Sequence, residues 1–302
     1  KEEMVRRLRE FVASCQPKSA AELSWTPVDW TQGVDPLDEP MYNVTMANLW
    51  NPRKHAVAND LPSWHEMSED EQWTIMRAFA GLTRLATLQA EDGMRELIDT
   101  ASPQHEKHIL TLLGGVEVIH AQSYSFIFTS LSTSATMVRK ALDWATNHPT
   151  MAEKSKILQE GYGTGDPLKL RIVSVMLESF AFFSGFFYPL YLASRRDPIT
   201  KKAKLTETGV VVGAIVRDEA THGYYIGQKF QQMLAKLPPE AVEIYRAWTV
   251  DIFMRLYEVE CRFTEDLYRE VGLVDEVKKI LCYNGNKAFQ NLGFDGLFQE
   301  DE

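Results

Sequence analysis

The sequence predicts an all-α fold, and three observations carry that prediction. Apolar residues recur at helical spacing over most of the 302 residues, while no alternating β-branched run sits between turn pairs. The segments between start and stop signals reach 20 residues and more, beyond the usual helix of about 11 to 12 residues and as in helix bundles. The chain reads as one domain over 1–302.

In chain order, residues 1–15 read as a first helix and residues 16–67 as an N-terminal arm. Within that arm, Ala20 to Asn59 is Trp- and Pro-bearing and expected to be extended. Ser68 with Glu71 makes a capping box that opens a helix from Glu69 to Asp92. Pro103 starts the next, running to Leu131. A turn at Gly161 to Asp166 precedes a helix from Pro167 to Leu192, and a basic loop at Arg195 to Thr206 precedes one from Glu207 to Leu237. Pro238-Pro239 opens a last long helix to Val271.

Composition narrows the function classes. At 45% hydrophobic and 25% charged, the chain is neither disordered nor fibrous. With 42 acidic against 32 basic residues, a net charge of -10 and no basic cluster, nucleic acid is not an expected partner. Cys15, Cys261 and Cys282 stand in no paired spacing, which predicts neither a disulfide framework nor a zinc site and suits a reducing, cytoplasmic setting. Ile172 to Ala193 is apolar but carries Glu178 inside it. A carboxylate at bilayer depth costs roughly 2.5 to 3.5 kcal/mol on insertion scales, so a buried core helix is expected rather than a membrane span.

Two helices repeat one chelating spacing, Glu117-Val-Ile-His120 and Glu219-Ala-Thr-His222. Residues three apart on a helix differ by about 60° and lie one turn apart, so each pair can hold one metal ion. A lone pair of this kind is common on solvated faces; two in apolar surroundings are not. Glu178 is a third candidate ligand, because a carboxylate in that apolar stretch must be protonated, paired or metal-bound. Arg171, seven residues away and about 10 Å along the axis, is awkwardly placed to pair with it. Two Glu-x-x-His helices with carboxylates from two further helices define the ferritin-like dimetal bundle. A ferritin-like bundle with additional helices is therefore expected. Tyr124 follows His120 by four residues, putting an oxidisable phenol on the ligand face.

The segments NLWNPRKHAVANDLPSW, FAGLTRLATLQ, VEVIHAQSYSFIF, VMLESFAFFSGFF, VRDEATHGYYIG and YNGNKAFQNLGF occur in an order that resembles the radical-generating small subunit of class I ribonucleotide reductase, especially its class Ib branch. The resemblance implies that Tyr124 holds the radical in a pocket walled by Phe182, Phe186 and Ile215. It also implies that Trp50, Asp218 and His120 route an electron to the surface. Glu117, His120, Glu178, Glu219 and His222 would ligate manganese or iron. Implied partners are a second copy of the chain, a large catalytic subunit that reduces ribonucleoside diphosphates, and a flavodoxin-like activating protein.

Two departures accompany the resemblance. The family places its first metal-ligating Asp or Glu where this chain has Ala86, 31 residues before Glu117. Glu91, Asp92 and Arg84 point elsewhere round the helix, and Gln89 shares the face one turn away but offers only a neutral oxygen. The Glu178/His222 position is then expected to fill, and the His120 position to be empty, weakly occupied or completed by an exogenous ligand. The family also continues past the GLF segment with a flexible tail that docks on the large subunit, absent from a sequence running from Lys1 to Glu302. Either the ends are missing here or coupling differs. Two other readings stay open: a ferritin-like metal oxidase or metal-binding protein without radical transfer, and a metal-deficient non-catalytic homologue.

Overall fold

The computed structural model describes residues 27–33, 35–132, 134–198 and 200–299; the helix expected over 1–15 and Cys15 lie outside them. The chain divides into the units Lys1–Gly33 and Val34–Glu302. In the first, Asp29 accepts from the backbone and hydroxyl of Thr31. The second carries every candidate site residue and has no strand among its described residues.

Its long helices start where the sequence signals them. Helix α1 is Asp38–Asn48, and α2, Glu69–Leu88, opens on the full capping box of Ser68 and Glu71. A π-helical turn, Gln89–Gly93, links α2 to α3, Met94–Thr100. Pro103 caps α4, Gln104–Leu131, and α5 and α6 come next at Ala135–Asn147 and Pro149–Tyr162. Asp166 accepts from two backbone amides to start α7, Pro167–Met176. A second π turn, Leu177–Ala181, connects α7 to α8, Phe183–Ser194. A single helical turn, Leu61–His65, precedes α2, and the remaining long helices are α9, Thr206–Leu234, α10, Pro239–Tyr268, and α11, Val274–Asn291.

The central bundle forms because four elements have faces that cannot remain in water. Helix α4 buries Leu113, Val116, Glu117, His120, Tyr124, Ile127 and Phe128 at intervals of three and four, the stripe that packs a helix onto a bundle. Helix α2 packs on α4 and α8, and α9 packs on α4, α7 and α8. Every residue from 170 to 182 is buried. Pro167–Ser194 is long and apolar enough to cross a membrane by composition, yet 89% of its most apolar window is buried within the protein. It is the central core element.

Two expectations need correction. Among its described residues, the stretch expected to be extended over 20–59 carries helix α1 and short 3-10 turns instead. Only Asp38, Met41 and Thr45 of α1 are buried, too thin an apolar stripe to announce a helix, and acidic residues in its first turn supply the start instead. The helix expected over 69–92 and the one over 167–192 are each interrupted by a π turn, which widens the helix by one residue and re-aims the turns beyond it.

Candidate metal centre

Helix α4 delivers Glu117 and His120, α9 delivers Asp218, Glu219 and His222, and the π turn after α7 delivers Glu178. All are buried. Glu117, Glu178, Glu219 and His222 each offer a ligand atom, and these atoms lie within 4.8 Å of one another. His222 Nδ1 is 3.1 Å from Glu117 Oε1, 3.3 Å from Glu219 Oε2 and 3.5 Å from Glu178 Oε2. His120 stands to one side of this group, its Nδ1 3.0 Å from Glu219 Oε1 and 3.5 Å from Glu117 Oε1. The two imidazoles stack at 5.9 Å.

Charge and burial conflict here. Burial opposes charge on both imidazoles, yet the surrounding carboxylates hold His120 and His222 well above the ordinary histidine pKa. Burial and the neighbouring Glu117 and Glu219 push Glu178 up. Glu219 is held low in spite of its burial, because both imidazoles face it. Glu117 Oε2, Glu178 Oε2, both Glu219 oxygens and His120 Nδ1 have no hydrogen-bond partner. Buried polar atoms are seldom left so; acceptors converging on one point suit a divalent cation with oxygen and imidazole preferences, such as manganese or iron.

From the far side of His120 a hydrogen-bonded line runs outward. Asp218 Oδ2 lies 3.2 Å from His120 Nε2 and accepts from Trp50 Nε1 at 2.8 Å, and the rings of Trp50 and His120 are 6.4 Å apart. A carboxylate on the outer nitrogen fixes which imidazole nitrogen faces the cage. Trp50 is half-buried.

Tyr124 is fully buried. Burial first, then the charges of Glu219 and Glu117, push its phenol well above its ordinary pKa, so its proton stays on. Phe182, Phe186 and Ile215 are equally buried. Phe79 of α2 stacks on Tyr124 at 5.7 Å and meets Phe128 edge-on. The sequence reading misses Phe79, although it lies seven residues before Ala86 on the same helix face.

Ala86 is buried. Arg84 turns away to cap α5, donating to the carbonyls of Ala145 and Thr146. Asp92 pairs with Arg95, and Arg171 with Glu106, leaving Glu178 without an arginine. Gln89 does reach the cage, but with its amide nitrogen rather than its oxygen: Nε2 donates to Glu178 Oε1 at 2.6 Å. The widened turn beginning at Gln89 could not be foreseen from a 3.6-residue period.

A family model for the ribonucleotide reductase small chain matches residues 27–302. The chain is 40% identical over 275 residues to the ribonucleoside-diphosphate reductase subunit beta nrdF2 of Mycobacterium tuberculosis, covering 91% of this chain and 82% of that one. It is 40% identical over 271 residues to the ribonucleoside-diphosphate reductase 2 subunit beta of Escherichia coli, with 90% and 82% covered. Its fold is similar to that of the dimanganese(II)-NrdF of Streptococcus sanguinis, with a TM-score of 0.86, 36% identity, and 91% of this chain and 94% of that one covered. With both sequence and fold matched over nearly the whole length, the chain belongs to the small-subunit family of class I ribonucleotide reductase and is class Ib-like.

Proposed function

We propose that this chain stores an oxidising equivalent on Tyr124 and passes it to a large catalytic subunit that makes deoxyribonucleotides. The observation that carries the reading is the unbroken line from half-buried Trp50 through Asp218 to His120, ending at a carboxylate cage beside a sealed phenol. A ferritin-like metal oxidase needs the cage but not that line. Glu117, Glu178, Glu219 and His222 would hold manganese or iron, with His120 beside them; the bound metal supplies the one-electron oxidising power. The chain's own residues do the rest. Phe79, Phe182, Phe186 and Ile215 supply apolar surroundings that keep water and reductants from Tyr124. Asp218 orients His120 and fixes its tautomer, and Trp50 is the way out.

The partners belong to the same reading: a second copy of the chain, the large subunit, and a flavodoxin-like activating protein in a reducing cytoplasm. Free Cys261 and Cys282 fit that setting.

Ala86 supports a narrower version. Glu117, Glu178 and Glu219 contribute -3; one divalent ion leaves -1 and two leave +1. An excess positive charge in a buried site is expensive, so the Glu178/His222 position fills first and the His120 position is short of a ligand. The same residue is what favours the non-catalytic reading. Both are tested by activating the protein and its variants with Mn(II) or Fe(II) and recording metal content, the radical spectrum and turnover with the large subunit. Tyr124→Phe is expected to remove the radical and turnover while keeping metal. Ala86→Asp is expected to raise both metal stoichiometry and radical yield. Turnover retained in Tyr124→Phe would reduce Tyr124 to core packing.

A further inference from the structure

Glu178 is the cage carboxylate with one oxygen held by a side-chain amide and the other facing the cage. Oε1 accepts from Gln89 Nε2 at 2.6 Å; Oε2 has no hydrogen-bond partner and lies 3.5 Å from His222 Nδ1, facing the cage. Gln89 is held in turn. Its Oε1 accepts from the Tyr162 hydroxyl at 2.5 Å, and that hydroxyl lies 3.0 Å from Ser174 Oγ. Gln89, Tyr162 and Ser174 are all buried. With Glu178 ionised, as a metal ligand must be, reversing the amide of Gln89 would set its oxygen against a carboxylate oxygen, so the network then favours the orientation seen. Every donor can then point the same way, from Ser174 through Tyr162 and Gln89 to Glu178, an arrangement in which successive hydrogen bonds polarise one another.

The backbone is shaped to allow this. Gln89 opens one π turn and Glu178 sits in the other, so each partner of the 2.6 Å bond stands where its helix departs from regular spacing. Gly93 closes the first turn, and a Cβ there would come within 2.1 Å of Gln89 Oε1 and 2.8 Å of the Tyr162 hydroxyl. Only glycine leaves room for the pair. Structural packing alone would not need a polar chain of three residues, a glycine cleared for it and two widened turns, all converging on one ligand oxygen.

We infer that Gln89, braced by Tyr162, is a positioning residue that occupies one oxygen of Glu178, presents the other to the metal, and so sets the affinity of the Glu178/His222 position. The inference rests on the reading that the cage holds manganese or iron. It matters more in this chain than in one with a carboxylate in place of Ala86, because fewer protein ligands share the work of holding the ion.

The test is Mn(II) titration of the full-length protein, monitored by the EPR signal of free and bound Mn(II), for the wild type, Gln89→Leu and Tyr162→Phe. Losing an outer partner of a metal ligand typically costs about 10- to 100-fold in affinity. Gln89→Leu is expected to weaken Mn(II) binding by about that factor, and Tyr162→Phe, which removes only the brace, by less. The zero-field splitting of bound Mn(II) should also change in Gln89→Leu as Glu178 becomes free to bind through both oxygens, a signature that loss of packing alone would not produce. A folded Gln89→Leu protein with wild-type affinity and an unchanged bound spectrum overturns the inference and leaves the proposed function standing. Wild-type protein that binds neither Mn(II) nor Fe(II) overturns the proposed function itself. If Gln89→Leu does not fold, Tyr162→Phe decides: weakened binding supports the inference, and wild-type binding overturns it.

Discussion

The protein buries charge in two different ways. Outside the cage, each buried cation meets an anion: Lys154 pairs with Glu260, Arg171 with Glu106, and Lys229 with both Asp35 and Asp38. Lys154 is further covered by the Phe263 ring, and Ser184 donates to Glu260. Inside the cage three carboxylates face two imidazoles and form no discrete pairs: His222 Nδ1 lies within 3.5 Å of all three carboxylates, and His120 Nδ1 within 3.5 Å of two of them. Matched pairs hold helices together, Lys154 tying α6 to α10 and Lys229 tying α9 to the start of α1. The unmatched set cannot be explained by folding, because folding would be easier without it.

That contrast can be broken by stability measurements, and the largest effect belongs to the matched group. Lys154→Met leaves Glu260 buried without its cation, and removing one partner of a buried pair costs about 3–5 kcal/mol. Urea denaturation should report a loss of that size; a loss under about 1 kcal/mol would mean the pair holds little.

Next comes the cation the cage calls for. At about 100 times its dissociation constant, Mn(II) should stabilise the fold by about 2.7 kcal/mol, measured against chelator-treated protein. The metal-free protein has its own pH signature. His120, His222 and Glu178 all have folded pKa values raised above their unfolded ones, so they bind more protons folded than unfolded. Their combined contribution therefore falls as pH rises from about 6 to about 8. The low pKa of Glu219 acts the other way, but only in acid, below the unfolded carboxylate range. Mn(II) needs deprotonated ligands, so its stabilisation grows over the same interval. Thermal melts at about pH 6 and pH 8, with and without Mn(II), test both slopes, and metal-free melts independent of pH would contradict the account.

Smaller still is Glu178→Gln. It removes a carboxylate that burial and its neighbours disfavour, and should stabilise the metal-free protein by about 1 kcal/mol while weakening Mn(II) binding, the usual exchange of function for stability. Destabilisation would place Glu178 with the matched group. Trp50→Phe is expected to leave metal affinity and fold stability unchanged while blocking turnover with the large subunit. Loss of metal binding there would make Trp50 a structural residue.

Much of the fold and the cage is legible in the sequence, for identifiable reasons. Capping boxes, prolines and chelating spacings are local, so α2, α4 and α9 and the two Glu-x-x-His pairs can be read directly. The features that are not legible depend on contacts distant in sequence. Helix α1 shows almost no apolar stripe because what fastens it is Tyr225 and Lys229 reaching Asp38. Helices α5, α6 and α11 are not anticipated either; the break between the first two is only His148, before Pro149. Gln89 lies on the expected helix face, yet its role depends on Tyr162, 73 positions away, and on a π turn. No single-helix geometry reveals such a partner.

Helix α9 has a consequence for tolerance to motion. Over 29 residues, about 43 Å of rod at 1.5 Å per residue, it bears Asp218, Glu219 and His222, and about one and two turns beyond His222 it bears Tyr225 and Lys229. The last two grip the front of α1, whose end precedes Trp50 by two residues. The aspartate and two cage ligands thus ride on α9, the other ligands on α4 and the π turn, and α1, which leads to the tryptophan, packs against both α4 and α9. The 2.8 Å hydrogen bond from Trp50 to Asp218 ties the tryptophan directly to α9, and the packing of α1 ties its approach to the helices that carry the cage. Electron transfer falls off exponentially with separation, so this shared mounting would keep the transfer rate steady while the rest of the subunit flexes.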